Sequence, residues 1–444
     1  MKHIVQEITL KNGAKGLIVH VSDASVVTLE LNFRAGEYLV DNEKWETPHL
    51  MEHVLLGANR QFPKARIFQA EFEKNGAYNN ASTSAYDITY EAECADFEWE
   101  RILDLTLMAI SEPLFLEEEF IAEFGNVREE LSSRSNNHFR HLSLALREIY
   151  GYAAKTDQER LELMENVVLD DIQAHYKRTH TTSNLRFVIA GNITPGREKT
   201  LITRLENIGL PKGRTRFVLP KEMPKYLRKP LYIHNDSVKN VYFYIDTFMN
   251  RRMVESEIDA LSLANTLLVE TLYSKILGTA REYGLVYGMS SGYGQALLNS
   301  NWWVGAQVMP KNAPKLFEIM TRELQDVFEG RLDNADIVAA QQYSLGRFQR
   351  SAQTVGGTAA GYSSRYFFDE VIEDYYQVPQ RIKRITKESI VDIMRSLFAD
   401  NIWGVGILGS CGEQFAENMQ KQVSVLWPEG IKDEEWPRGR TERT

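Results

Sequence analysis

The stretch VTLELNF, residues 27–33, indicates how the chain folds. Its apolar residues alternate with polar ones, which is the period-2 pattern of a β-strand with one buried face. A similar stretch returns as VYFYIDTF, residues 241–248, roughly 215 positions later. A helix leading into a buried strand is also repeated, at residues 170–193 and 391–410, with nearly the same offset. The two offsets predict a duplicated chain with halves of roughly 215 residues.

A linker separates the two predicted halves. It is residues 210–230, LPKGRTRFVLPKEMPKYLRKP, which are rich in proline and basic residues and show no hydrophobic periodicity. We therefore expect two domains, residues 1–222 and residues 223–444. One-sided alternation in the strands, with long helical patterns between them, favours antiparallel sheets covered by helices. The predicted fold class is α+β, with two homologous domains, each a mostly antiparallel sheet with helices packed on one face.

The composition is that of an ordinary globular protein: 444 residues, of which 43% are hydrophobic and 25% charged. Lys and Arg total 51 against 61 Asp and Glu, without a polybasic run, which argues against nucleic-acid binding. Cys94 and Cys411 are the only cysteines, and their scarcity suits a reducing compartment. The sequence shows neither a signal-peptide pattern nor a run of ~18 apolar residues. We expect a cytoplasmic protein with no nucleic-acid and no membrane partner.

The residues that can carry chemistry are concentrated in TPHLMEHVLLG, residues 47–57. Thr47 is a favourable N-cap and proline suits the next position, so we expect a helix to start here. On it His49 and His53 project from one face, where two imidazoles can share a metal ion. Glu52 lies between them, as the general base does in the H-x-x-E-H arrangement. The alternative is an exposed turn with two unrelated histidines, although on the order of 0.01 chance matches are expected in such a chain.

A catalytic zinc ion usually takes three protein ligands, so a third ligand is expected elsewhere in the chain. A candidate helix is residues 120–131, FIAEFGNVREEL. Glu123 and Glu130 are seven residues apart on it, and therefore lie on the same face two turns along. Glu129 points about 100° away from Glu130. A solvated face is the common fate of a glutamate-rich helix, and the pattern alone leaves that interpretation open.

Together these motifs resemble the pitrilysin/insulinase-type zinc peptidases, the inverted zincins that include insulin-degrading enzyme and the mitochondrial processing peptidase. The similarity is HLMEH followed after 76 residues by Glu130. It implies that His49, His53 and Glu130 bind one zinc ion per chain. It implies further that Glu52 is the general base and that Glu123 supports the site.

Two more segments resemble the family. One is GAYNNASTSAYDITY, similar to the strand that pairs with the substrate backbone, which implies that Asn80 and Ala81 bind substrate. The other is LGTAREYGLVYGMSSGYG, similar to the Arg…Gly-Leu-x-Tyr segment, which implies that Arg281 and Tyr287 hydrogen-bond the oxyanion or the substrate backbone. These two residues are six positions apart, one fewer than in several relatives.

The second half is expected to carry no metal site of its own. At an offset of roughly 215, His49 aligns with Ala264. The segment around it, ALSLANTLLVE, residues 260–270, contains no histidine and no paired acid. Long members of the family join two such pairs of domains around a chamber. This chain resembles the short members, in which two subunits close the chamber.

The resemblance implies a zinc-dependent endopeptidase that hydrolyses short or unfolded peptides inside an enclosed dimeric chamber, with one chain as half of the clamshell. The dimer is expected to be a homodimer, or a heterodimer with an inactive homologous subunit. The alternative is a non-catalytic or partner subunit of a heterodimeric processing peptidase. Relatives of that kind usually lose the metal ligands, so the complete set in this chain favours the enzyme.

Overall fold

The computed structural model describes residues 1–427, so the end of the predicted second domain, 428–444, lies outside the described residues. In the first half the strands and helices are β1 His3–Thr9, β2 Lys15–Val21, β3 Val26–Phe33, α1 Thr47–Leu55, α2 Ala65–Glu73, β4 Tyr78–Thr83, β5 Ile88–Ala95, α3 Trp99–Ser111, α4 Glu117–Ser135, α5 His138–Tyr150, α6 Asp157–Met164, α7 Leu169–Thr179, β6 Leu185–Gly191 and α8 Pro195–Glu206. In the second half they are β7 Leu231–His234, β8 Val241–Met249, α9 Glu255–Asn265, α10 Lys275–Glu282, β9 Met289–Gln295, β10 Ser300–Val308, α11 Ala313–Phe328, α12 Asn334–Ser351, α13 Val355–Asp369, α14 Val378–Arg384, α15 Lys387–Ala399, β11 Ile402–Gly409 and α16 Glu413–Val423.

The first sheet has the strand order β1-β2-β6-β3-β5-β4. Strands β2 and β6 run parallel, and the other neighbouring pairs are antiparallel. The apolar residues of VTLELNF lie in one buried core with the apolar side of α1, which comprises Leu50, Met51, Val54 and Leu55. Burial of this kind is the main driving force of folding, and here it seats α1 on the sheet. The α+β class with mostly antiparallel sheets is therefore confirmed.

The opposite face of this sheet is covered by a helix from the second half of the chain. Leu17, Val19 and Val188 pack with Ala359 and Tyr362 of α13 in a separate buried cluster. Segment Gln341–Arg384 thus belongs to the first compact unit of the chain, together with most residues up to Lys221. The predicted boundary near residue 222 puts this segment in the second domain, whereas in the structure it belongs to the first compact unit. The reason is that the strand pattern does not encode which distant helix covers the sheet.

The second sheet belongs to the other compact unit, which includes Glu222–Ala340 and the chain from Ile385. Its order is β7-β11-β8-β10-β9, with β7 and β11 parallel and the other pairs antiparallel. This repeats the order β2-β6-β3-β5-β4 of the first sheet. The duplication inferred from the sequence is thus visible as one topology used twice.

The start of α1 differs in detail from the sequence-based expectation. Thr47 is the first helical residue and Glu46 precedes the helix without a side-chain hydrogen bond to its amides. The Glu46 carboxylate instead contacts His49 and Arg160. Thr47 has a high N-cap propensity, but the structure places Glu46 at the N-cap position, with its carboxylate engaged by His49 and Arg160.

Among residues 1–427 no helix is both long and apolar enough to cross a membrane.

Candidate metal centre

Two helices bring three potential ligands together in the first unit. His49 and His53 project from α1, and Glu130 comes from α4, which packs against α1. The Nε2 atoms of His49 and His53 lie 3.4 Å and 3.5 Å from the same oxygen, Oε2 of Glu130. The spacing of four residues on one helix and the long-range placement of α4 therefore converge on one point.

The geometry fits a zinc ion. Zn–N and Zn–O bonds of about 2.0–2.1 Å in a tetrahedral arrangement place ligand atoms about 3.3 Å apart, close to the observed separations. Both Nδ1 atoms are already engaged, that of His49 with Glu46 and that of His53 with Glu123, each at 3.0 Å. Because a carboxylate only accepts hydrogen bonds, each Nδ1 donates its proton, and Nε2 is left as the metal-binding atom.

Glu52 lies beside these ligands and has its own support. The side-chain ligand atoms of His49, Glu52 and His53 all lie within 4.8 Å of one another, a group that could hold a metal ion. Thr83 Oγ1, at the end of β4, donates to Glu52 Oε2 at 3.0 Å. This hydrogen bond holds the carboxylate through Oε2. The other oxygen, Oε1, is not part of that bond and is suited to proton transfer.

The electrostatics of the cluster favour a cation. Burial opposes protonation of the His53 imidazole, but hydrogen bonds to Glu123 and Glu130 outweigh burial and raise its pKa to about 10. Burial also opposes protonation of His49, whose pKa is nevertheless raised by hydrogen bonds to Glu130 and Glu46. Hydrogen bonds from the two histidines hold the pKa of Glu130 well below its usual range. The surrounding carboxylates thus stabilise positive charge at this point.

The cluster opens into a cavity of about 480 Å³. The cavity is lined by the candidate metal ligands and by residues of α1, α2, α4 and β4: His49, Glu52, His53, Leu56, Gly57, Ala65, Gln69, Asn80, Ala81, Ser82, Thr83, Glu123, Glu130 and Arg134. Strand β4 is one of the two edge strands of the first sheet and pairs only with β5 there. The structure therefore brings Asn80 and Ala81 into the same cavity as the candidate metal ligands.

Arg281 and Tyr287 lie in the second unit and are close to each other. The Arg281 guanidinium carbon is 5.0 Å from the centroid of the Tyr287 ring, and Arg281 Nη1 donates to the Tyr287 carbonyl. The Tyr287 side chain is 91% exposed. A cavity of about 540 Å³ next to them is lined in part by Val286 and Met309. Arg281 and Tyr287 also line this cavity, so they form a polar pair that a ligand can reach.

Several residues of the cluster's surroundings were not found from the sequence. Glu46 and Arg160 contact His49 through Nδ1, Thr83 holds Glu52, and Arg134 pairs with Glu130. Arg134 is one turn beyond Glu130 on α4, a spacing that helix periodicity could have suggested. Arg160 lies 114 residues from Glu46, and no local pattern signals such a pair.

Two repeated α+β units, with the sequence H-x-x-E-H on a helix of the first, are the features of the insulinase-type peptidase class. The chain belongs to the insulinase family of peptidases, family M16: its residues 17–164 match the model "Insulinase (Peptidase family M16)". Residues 166–343 match the model "Peptidase M16 inactive domain". The candidate metal ligands His49, His53 and Glu130, and Glu52 beside them, fall in the first of these spans.

Two solved structures share the fold. A protease from Helicobacter pylori superposes with a TM-score of 0.80 at 18% identity, covering 92% of this chain and 100% of that one. A peptidase M16 inactive domain from Pseudomonas fluorescens gives a TM-score of 0.80 at 16% identity, covering 92% of this chain and 98% of that one. No curated protein matches the sequence.

Proposed function

We propose that this chain is a zinc-dependent endopeptidase that hydrolyses short or unfolded peptides within a chamber formed by two subunits. The observation that carries the proposal is the convergence of His49 Nε2 and His53 Nε2 on Glu130 Oε2, with Glu52 beside them. His49, His53 and Glu130 would hold one zinc ion per chain. When bound, the ion supplies Lewis-acid polarisation of a carbonyl and a nucleophile at neutral pH.

Glu52 is assigned the proton transfers. Its carboxylate would accept a proton from the attacking water and deliver it to the nitrogen of the leaving amine. The hydrogen bond from Thr83 would hold this carboxylate at the cavity wall, where both residues lie. General acid–base catalysis of this kind typically contributes ~10²–10⁴ in rate.

Substrate binding is assigned to the edge of the first sheet. An extended peptide can add as a further strand beside Asn80 and Ala81 of β4, through main-chain hydrogen bonds. Because such bonds depend little on side chains, we expect weak sequence preference. Selection would come from the size of the enclosed chamber, which admits short or unfolded peptides.

Arg281 and Tyr287 are assigned to the same reaction, in which they would act on a substrate held by another copy of the chain. Tyr287 is 91% exposed and sits beside an arginine, a combination suited to hydrogen-bonding an oxyanion or a peptide carbonyl. Within the described residues their own unit holds no metal cluster. Because the chain resembles the short family members, in which two subunits close the chamber, we propose that the candidate metal ligands of one subunit meet the Arg281–Tyr287 pair of a second copy.

The deciding experiment combines native mass, zinc content and peptide hydrolysis on one sample. The proposal expects a dimer by light scattering, about one zinc ion per chain as the three-ligand site requires, and cleavage of an unfolded peptide by the same peak. A chain without zinc and without hydrolysis would instead be the non-catalytic partner subunit. Zinc and activity that appear only after a different homologous chain is added would point to a heterodimer.

A further inference from the structure

A buried group of charged residues lies next to the metal cluster and has no part in the proposed chemistry. It comprises Glu46, which precedes α1, Arg160 and Asp157 of α6, and Glu37. The Glu46 side chain is 0% exposed and that of Arg160 is 10% exposed. Burying charges costs free energy unless they are paired and hydrogen-bonded, so such a group needs a reason.

The contacts of this group lead to one metal-ligating side chain. Arg160 holds Glu46 with two hydrogen bonds, Nε to Oε1 at 2.5 Å and Nη2 to Oε2 at 3.0 Å. The same Oε2 of Glu46 lies 3.0 Å from Nδ1 of His49. Arg160 Nη2 is also 3.3 Å from that Nδ1, but both atoms cannot be donors to each other. The shorter contact therefore decides the arrangement: Nδ1–H of His49 donates to Glu46.

We infer that Glu46 and Arg160 are positioning residues that fix the His49 ring and direct its Nε2 lone pair toward the metal site. This inference rests on the proposed zinc-peptidase function and deepens it. A carboxylate on the remote nitrogen of a metal-binding histidine fixes the tautomer and increases the basicity of the ligand. Arg160 then fixes the carboxylate, since a planar guanidinium grips two oxygens at once.

The second histidine offers an internal contrast. His53 has the same kind of partner, Glu123 at 3.0 Å, but both side chains are about one-quarter exposed. Water can therefore replace the Glu123 carboxylate if it is removed. The Glu46 carboxylate is inaccessible, and its position is fixed by Arg160, so its removal leaves the His49 Nδ1–H without a partner. We therefore expect the buried Glu46–His49 contact to contribute more to metal affinity than the partly exposed Glu123–His53 contact.

Arg160 is itself held in place by the sequence around it. Thr156 and Glu159 form a reciprocal capping box at the start of α6, and Arg160 directly follows Glu159. Asp157, in the first turn of the same helix, lies 3.8 Å from Arg160 and also pairs with Arg140. The guanidinium therefore approaches Glu46 from a helix whose start is fixed. A lysine at this position would keep the charge but lose the two-pronged grip.

The test measures the zinc dissociation constant of the purified full-length chain by competition with a chelator. Glu46→Gln should raise this constant about 10–100-fold, the usual effect of losing such a partner. Arg160→Lys should raise it less, and Glu123→Gln less than Glu46→Gln. Cobalt substitution provides a second readout, because the visible spectrum reports ligand orientation: the Glu46 variant should change it.

The matched control is Glu370→Gln. Glu370 pairs with Arg186, a 6% exposed arginine of the same unit, so this variant also leaves a buried guanidinium short of a partner. It should lower the thermal stability of the zinc-free chain without changing zinc affinity or the cobalt spectrum. If Glu46→Gln does not fold, the neutral pair Glu46→Gln with Arg160→Gln replaces it, with the same expected loss of affinity.

Each outcome separates the two claims. A wild-type chain that fails to bind zinc overturns the proposed function and this inference with it. A wild-type chain that binds zinc, with an affinity left unchanged by Glu46→Gln, overturns only the inference. Equal losses from Glu46→Gln and Glu370→Gln would also overturn it, because the effect would then reflect general destabilisation.

Discussion

Helices α1 and α9 hold equivalent places in the two halves of the chain but have different surroundings. Each follows the central strand of its sheet, and α1 packs on α7 as α9 packs on α15. On α1 the polar side chains meet carboxylates, and His49 is held by Glu46. On α9, Ala264 is fully buried and Asn265 accepts a hydrogen bond from the Trp302 indole.

The difference shows which residues the candidate metal centre has beyond the shared fold. In both halves the topology packs a helix against a sheet, and this shared fold does not by itself determine what the helix binds. The first half adds acids on neighbouring elements, Glu123 and Glu130 on α4 and Glu46 before α1. The second half fills the same place with apolar packing.

The largest effect is expected from removing the general base. Glu52→Gln should lower the hydrolysis of an unfolded peptide by ~10²–10⁴, because the amide cannot accept the water proton. Zinc content should stay at about one ion per chain, since His49, His53 and Glu130 are untouched. Rate assays and metal analysis on the same sample check both points. Retained activity would remove Glu52 from its role, and Glu165→Gln at an exposed surface pair serves as the control.

Neighbouring glutamates on α4 provide the next test. Glu130→Gln should raise the zinc dissociation constant by about 100-fold or more, exceeding the roughly 10–100-fold typical of a partner that does not touch the metal. Glu129→Gln should leave it unchanged, because Glu129 is exposed while Glu130 contacts both histidines. Chelator competition measures both constants. The reverse result would move the third ligand by one residue.

Mixing two inactive variants tests whether the second half serves a neighbouring subunit. A Glu52→Gln chain and a Tyr287→Phe chain should each be nearly inactive alone. In a mixed dimer, one site combines an intact metal face with an intact Tyr287, so statistical mixing should restore about a quarter of wild-type activity per subunit. Differently tagged chains verify the exchange. Exchange without rescue would mean that each site is completed within one chain or by a different partner.

The smallest effect is expected on the free energy of unfolding, at a strand position where the two halves carry different residues. Glu30 lies on β3, and Ile245 stands about 215 positions later, on β8. Burial raises the pKa of Glu30 to about 7, with Ser363 opposing the shift and Glu91 adding to it. A carboxyl group whose pKa is raised on folding binds its proton more tightly in the folded state. Stability is therefore lost as pH rises from about 4.5 toward 7.

Glu30→Gln should accordingly stabilise the chain at pH 8 by up to about 3 kcal/mol, and far less at pH 4.5. Urea unfolding of both chains across this pH range measures the difference. Glu91→Gln, directly opposite on β5, is the matched control and should show a smaller change. A Glu30→Gln chain with the same stability difference at both pH values would contradict the assignment.

The sequence predicted the class, the repeated topology and the residues that converge on α1, because periodicity and motif spacing are local signals. His49, Glu52 and His53 share one short helix. The spacing on α4 made Glu123 and Glu130 candidates, and the family resemblance singled out Glu130 as the third ligand. The roles of these residues stay predictions. Glu46 and Arg160 could not be found in the same way, since their contact joins residues 114 positions apart. The packing of α13 on the first sheet is non-local for the same reason.

That packing bears on how the protein is made. One face of the first sheet, including Leu17, Val19 and Val188, is covered by a helix that ends at Asp369. A ribosome has therefore to synthesise most of the chain before this face can be shielded from water. Until then the apolar face is open to chaperones or to other nascent chains. A gene cut near codon 222 would make the exposure permanent, so we expect such a fragment to aggregate.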